Sequence, residues 1–386
     1  MKGILEYIDN YGDLSFEEKD FNKVDSLILS QFSYLKMDKV VPEVGTMKPS
    51  ILLKDIAKSD ELLGLFSDER YAEENIELFD RMSNSKRFGN IGLNHHIDLV
   101  NKKWEMQFSA ITCYLAPGLT HVVFRGTDET VIGWKEDFNM AFTKAVPAQT
   151  KAVDYLRYVA ERIQGDFSVG GHSKGGNLAV YAAMKCPEEI EKRIIRIDSH
   201  DGPGFIREVL EESDFERIKS RVKKYVPHSS VIGMMLQSQE DYRVITAKSF
   251  GILQHDPFNW VVEEDDFVYR DDIAYRSAIN DEAINKWAQN ADNDELKTFI
   301  GKLFDIFTKS GIDDLNDCKG NYMSLFASAI ETSRELSDEE KSHVKNVLGV
   351  LARSFKNQLV DQIKDHINDY ASEYADERQN MFKGLP

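Results

Sequence analysis

The chain has 386 residues, too many for one ordinary domain and enough for two at ~150 residues each. Hydrophobic residues make up 42% and charged residues 30%, the balance of a folded globular protein and not of a disordered or fibrous one. Lys+Arg total 48 against 66 Asp+Glu, and the formal net charge of −18 argues against non-specific binding to nucleic acid or to anionic membrane.

Three cysteines, Cys113, Cys186 and Cys318, are far apart and form no CxxC pair, so neither a disulfide framework nor a structural zinc site is expected. The N-terminal MKGILEYIDNYGDLSFEEKD has too short an apolar run for a secretory signal. No stretch approaches the ~18 apolar residues of a membrane span. A cytoplasmic protein without stable membrane insertion is the expectation.

In chain order, Val24, Leu27, Ile28, Phe32 and Leu35 are spaced as one face of a helix over 24–37, with Asn22 or Asp25 as its cap. Residues 49–57 and 68–83 also read as helices. The character changes near 105. MQFSAITCYL and HVVFRGT, either side of Pro117-Gly118, predict a strand hairpin. A helix over 151–163 follows, then strand, glycine turn and helix in DFSVGGHSKGGNLAVYAAMKC, and further strands in IIRIDSH, KKYVP and YRVITAKS. This alternation from about 105 to 260 predicts an α/β fold, a mostly parallel sheet flanked by helices. Beyond about 270 the pattern becomes all-helical. Val344, Leu348, Leu351, Phe355, Leu359, Ile363 and Ile367 form a long apolar seam. It reads as a C-terminal helical bundle over 271–386, with a homodimer arm as the sharper alternative.

The motif richest in chemistry is GGHSKGGN, residues 170–177, containing G-x-S-x-G at Gly171, Ser173 and Gly175. A serine on a sharp strand-to-helix turn needs neighbours without side chains. The helix behind it aims its N-terminus, and the amide of Lys174, at the same spot. A second element, VVFRGTDETVIGWKEDF, ends a strand at Arg125-Gly126-Thr127 and continues to Trp134 and Asp137. Thr127 offers an amide and a hydroxyl to an oxyanion. Taken alone it reads as an ordinary turn capped by Asp128.

Together, FRGT…W…D and GHSKGG resemble the lipase class 3 group of α/β-hydrolases. With VDSLILSQFSYL, DGPGF at 201–205, VPHSSVIGMML at 226–236 and QHDPFNW at 254–260, the chain more closely resembles the Mbeg1-like (DUF2974) family, over about residues 1–270. The resemblance implies an α/β-hydrolase fold and a serine hydrolase, with no assigned substrate.

In α/β-hydrolase order the base follows the nucleophile, and with His343 and His366 set aside on the C-terminal helices this leaves His200, His228 and His255. His172 adjoins Ser173 and is expected to point away. His255 sits after the last strand and matches the histidine of the lipase class 3 pattern. That pattern also places an aspartate before a V-P-like block, yet residues 227–232 hold no carboxylate. Asp201, at the end of IIRIDSH, and Asp256, adjacent to His255, are the alternatives, and Asp201 is preferred because a sequence neighbour rarely folds back onto the same imidazole. The expectation is ester cleavage through Ser173, His255 and Asp201, with Thr127 and Lys174 as the oxyanion hole and no metal or cofactor. The substrate would be a small-molecule or lipid ester. Met234, Met235, Leu236, Phe250, Ile252 and Leu253 are candidates to line an apolar pocket, or to pack as core. The rival is a weak or inactive hydrolase fold kept as a binding or scaffold module.

Overall fold

A computed structural model describes residues 1–67, 72–128, 130–140, 143–210, 213–230, 232–234, 241–249 and 251–271. All lie in the first of the chain's two compact units, Met1–Tyr322. The all-helical region beyond 271, its dimer arm and the domain boundary at 270 therefore fall outside the described residues.

Eight strands form one sheet whose spatial order is the chain order: β1 (Ile51–Leu52), β2 (Gly92–Asn101), β3 (Met106–Ala116), β4 (Leu119–Phe124), β5 (Phe167–His172), β6 (Ile194–His200), β7 (Val222–Pro227) and β8 (Tyr242–Ile245). β1 to β4 pair antiparallel, and β4 to β8 are parallel. The expected hairpin is β3–β4, and Gly118 takes the left-handed φ of +75° at its turn. The mostly parallel α/β architecture is present, with an antiparallel extension at one edge. β2 was not expected, and residues 49–57 hold β1 plus a helical turn, Leu53–Ile56, instead of one helix.

Helices cover both faces. On one side lie α1 (Ile4–Tyr11), α2 (Lys23–Phe32) and α3 (Ala72–Asn84); on the other, α5 (Pro147–Ala160) and α6 (Lys174–Lys185), with α4 (Val131–Asn139) beside β3. Successive strand residues alternate between faces. Val122 and Phe124 thus join Leu156, Leu178 and Ala182 in one core, while Val123 joins Leu27, Ile28 and Trp260 in the other. Asn22 caps α2, its side chain accepting from the amides of Val24 and Asp25. Asp25, the other cap candidate, turns inward to a fully buried ion pair with Arg87. No helix among the described residues is long and apolar enough to cross a membrane.

Candidate active site

β5 ends at His172 and α6 begins at Lys174, so Ser173 alone makes the turn. It adopts φ 58° and ψ −134°, a conformation side chains seldom take, and stays half-buried. Gly175 makes the turn sterically feasible. A Cβ there would lie 2.1 Å from the Phe124 carbonyl oxygen, so only glycine lets α6 start hard against β4. Gly126 answers it from the β4 side. A Cβ on it would sit 2.0 Å from the Tyr34 hydroxyl and 3.1 Å from Ser173 Cβ.

The Lys174 side chain is a feature missed in sequence, where only its amide was considered. It is 1% exposed, and its ammonium donates to Gln107 O (3.0 Å), Gln107 Oε1 (2.6 Å) and Glu136 Oε2 (3.1 Å). Glu136 also accepts from the amides of Gln107 (3.0 Å) and Ala148 (2.8 Å), the latter in the first turn of α5. One buried carboxylate thus ties β3, α4, α5 and the nucleophile helix together, through the Lys174 ammonium and the amides of Gln107 and Ala148.

Thr127 follows β4. Its hydroxyl donates to Asp137 Oδ2 at 2.5 Å, and its amide, like that of Lys174, has no acceptor among the described residues. Asp128 does cap the turn, accepting from the amide and hydroxyl of Thr130. Asp137 Oδ1 is covered and accepts no hydrogen bond, lying 3.7 Å from the Lys174 ammonium, although the side chain as a whole is 30% exposed. Burial pushes its pKa up to about 6, against the pull of Lys174 and the Thr127 bond. A folded-state pKa above the unfolded value means that the folded state holds the extra proton. Stability should therefore fall as pH rises from about 4 to about 6. Asp137→Asn keeps an acceptor for Thr127 but cannot ionise. Its stability relative to the wild type is expected to increase across that window and level off above it, in urea titrations at pH 4.5, 5.5 and 7.

His255 closes a 3-10 turn, Gly251–His255, and its Nδ1 lies 2.7 Å from Asp201 Oδ2. Asp201 is the first residue after β6, fully buried, at φ 53°. Its amide donates to Tyr225 O (2.8 Å), and its Oδ1 accepts from Ser230 Oγ (2.6 Å). The block after β7 that lacks a carboxylate thus supplies a hydroxyl that orients one from β6. Ser173 Oγ makes no hydrogen bond to His255 or to any other described residue.

The alternatives are occupied elsewhere. His228 is buried against Gln254 Nε2 (3.0 Å). His200 Nε2 meets Ser26 Oγ (3.0 Å) under the sheet, and burial holds its pKa well down. Asp256 caps the next turn, accepting from the Phe258 amide at 2.9 Å. His172 does not simply turn away, because its ring packs 4.4 Å from that of His255. Met235, Leu236 and Phe250 lie outside the described residues, so an apolar lining of this site is not described. No group of three or more His, Cys, Asp or Glu able to hold a metal occurs among the described residues.

A family model described as Mbeg1-like matches residues 82–305. No curated protein matches the chain. Among solved structures, the chain is similar to the native propeptide complex of Rhizomucor miehei lipase, with a TM-score of 0.35 and 12% identity over 46% of this chain and 69% of that one. It is also similar to M37 lipase, with a TM-score of 0.33 and 13% identity over 56% of this chain and 70% of that one.

Proposed function

Because the chain belongs to the Mbeg1-like family and carries a strained serine beside a histidine–aspartate pair, we propose that it is a serine hydrolase cleaving a carboxylic ester through an acyl-enzyme. The observation that carries this reading is the 2.7 Å contact from His255 Nδ1 to the buried Asp201, next to an elbow serine at the N-terminus of α6. Donation from Nδ1 to the carboxylate leaves Nε2 without its hydrogen, the tautomer a general base requires.

Ser173 Oγ attacks the ester carbonyl carbon as its proton passes to His255 Nε2, and the C=O π pair moves onto the oxygen. The amides of Thr127 and Lys174 receive that oxyanion. Collapse breaks the ester C–O bond, and the imidazolium returns the proton to the leaving alcohol. Water, deprotonated by His255, then releases the acyl group as an acid and restores Ser173. Asp137 holds the Thr127 hydroxyl, which fixes the loop supplying one amide.

A second reading, a hydrolase fold kept for binding, draws on the missing hydrogen bond between Ser173 Oγ and His255. Nucleophile–base contacts are commonly long before substrate binds, so catalysis remains the better fit. A fluorophosphonate probe separates the two. The wild type is expected to label and Ser173→Ala not to; absence of labelling, or equal labelling of both, favours the binding reading. A substrate panel of short- and long-chain p-nitrophenyl esters then sorts soluble from lipid-like acyl groups. With a net charge of −18, a soluble ester is the expected class.

A further inference from the structure

His172 adjoins Ser173 in the chain and contacts both the backbone and the ring of His255. Its Nε2 is 2.7 Å from the backbone oxygen of His255 and its Nδ1 is 3.0 Å from the Tyr34 hydroxyl. A carbonyl only accepts, so Nε2 carries the hydrogen and, in the neutral ring, Nδ1 accepts from Tyr34. Both nitrogens are thereby fixed, and the ring plane with them. That plane packs against the His255 ring, with centroids 4.4 Å apart and planes tilted 36°. Trp260 meets the edge of His172 at 6.4 Å, and the Trp260 indole donates to Gln254 O (2.9 Å), one residue before His255.

We propose that His172 is a positioning residue for His255, with Tyr34 setting its tautomer; this rests on the serine-hydrolase reading above. The argument is mechanical. His255 is delivered by a 3-10 turn after β8, the last strand of the eight-stranded sheet, 82 positions along the chain from the elbow. The Asp201 bond fixes one corner of its imidazole but not the backbone that carries it. His172 supplies the missing anchor from the residue adjoining Ser173, so nucleophile and base share one rigid support. An angstrom of misplacement at a reacting pair costs about 10²-fold in rate. Tyr34 comes from the segment after α2, so the N-terminal helices take part in the site through one hydroxyl.

The test measures second-order rates of fluorophosphonate labelling at Ser173. His172→Phe retains an aromatic ring for packing but not the donor. It is expected to slow labelling by about 10²-fold with an unchanged unfolding midpoint. His172→Gln, whose amide reaches as a donor, is expected to recover at least a tenth of the wild-type rate. Tyr34→Phe removes only the hydroxyl and is expected to slow labelling several-fold; it decides the matter if His172→Phe fails to fold. A purely structural role predicts losses that follow the unfolding midpoint and no rescue by Gln. Wild-type rates in both His172→Phe and Tyr34→Phe overturn the proposal. An unlabelled wild type overturns the hydrolase reading itself, and is thereby distinguished.

Discussion

Asp201→Asn is expected to cut the turnover of a p-nitrophenyl ester by about 10⁴-fold, with little change in KM. The reason is tautomeric. Ser230 Oγ donates to Asp201 Oδ1, so an asparagine here will place its carbonyl oxygen toward Ser230 and its NH2 toward His255. Nδ1 must then accept, the ring hydrogen moves to Nε2, and the nitrogen proposed to take the Ser173 proton ceases to be a base. Asp201 is fully buried, which denies the site a water molecule to stand in for the lost acceptor. Steady-state kinetics check this. A loss under tenfold would mean that Asp201 is a turn residue and that the imidazole works unaided.

The largest effect on stability is expected at a distance from the site. Arg87 and Asp25 are both fully buried, joined by two bonds of 2.7 and 2.5 Å. The same guanidinium donates to the carbonyl oxygens of Leu14, Ser15, Lys19 and Asp20. Arg87→Ala leaves a buried carboxylate unpaired and those carbonyls without their donor. A loss of about 3–5 kcal/mol in unfolding free energy follows, read as a fall in the urea midpoint. Asp25 is also the N3 residue of α2, its carboxylate accepting from the Asn22 amide, so the start of that helix should loosen first. The partner change Asp25→Asn, made in the Arg87→Ala background, should cost little more, because the charge it removes is then already unpaired.

The elbow was legible in the sequence because it satisfies several constraints at once: a strand ending in glycine, a serine between glycines, and a helix opening with small residues. The hairpin was legible from its Pro-Gly turn, and the α2 cap as far as Asn22 or Asp25, of which Asn22 takes it. β2 was not. GLNHHIDLVN reads as polar, and its alternation breaks at a register shift between Asn94 and Ile97, where His95 takes a left-handed φ of 55°. Several of its polar groups meet tertiary partners that no local window contains, although His95 Nδ1 and His96 Nδ1 make no hydrogen bond among the described residues. Tyr114 serves His95, for example, and Arg125 serves Asp98. The acid posed a related problem. Asp201 and Asp256 are both turn aspartates in sequence; a neighbour rarely folds back onto the same imidazole, which favours Asp201, and the fold brings Asp201 to the imidazole while Asp256 caps a turn. The role of Lys174 was hidden for the opposite reason. Nothing local marks the Lys174 side chain for burial, but Glu136, well upstream in the chain, draws it inside.

Ser173 and Asp201 end neighbouring parallel strands, and both have left-handed backbones at φ 58° and 53°. Each conformation costs of the order of 1–3 kcal/mol for a residue with a side chain, and glycine would relieve it. The fold therefore carries two adjacent points where robustness and chemistry pull in opposite directions. On the proposed mechanism, glycine at position 173 would give a hardier, silent protein, whereas glycine at position 201 would relieve the backbone but strip Ser230 and His255 of a buried partner. Their persistence as serine and aspartate would mark a lineage in which the reaction still matters.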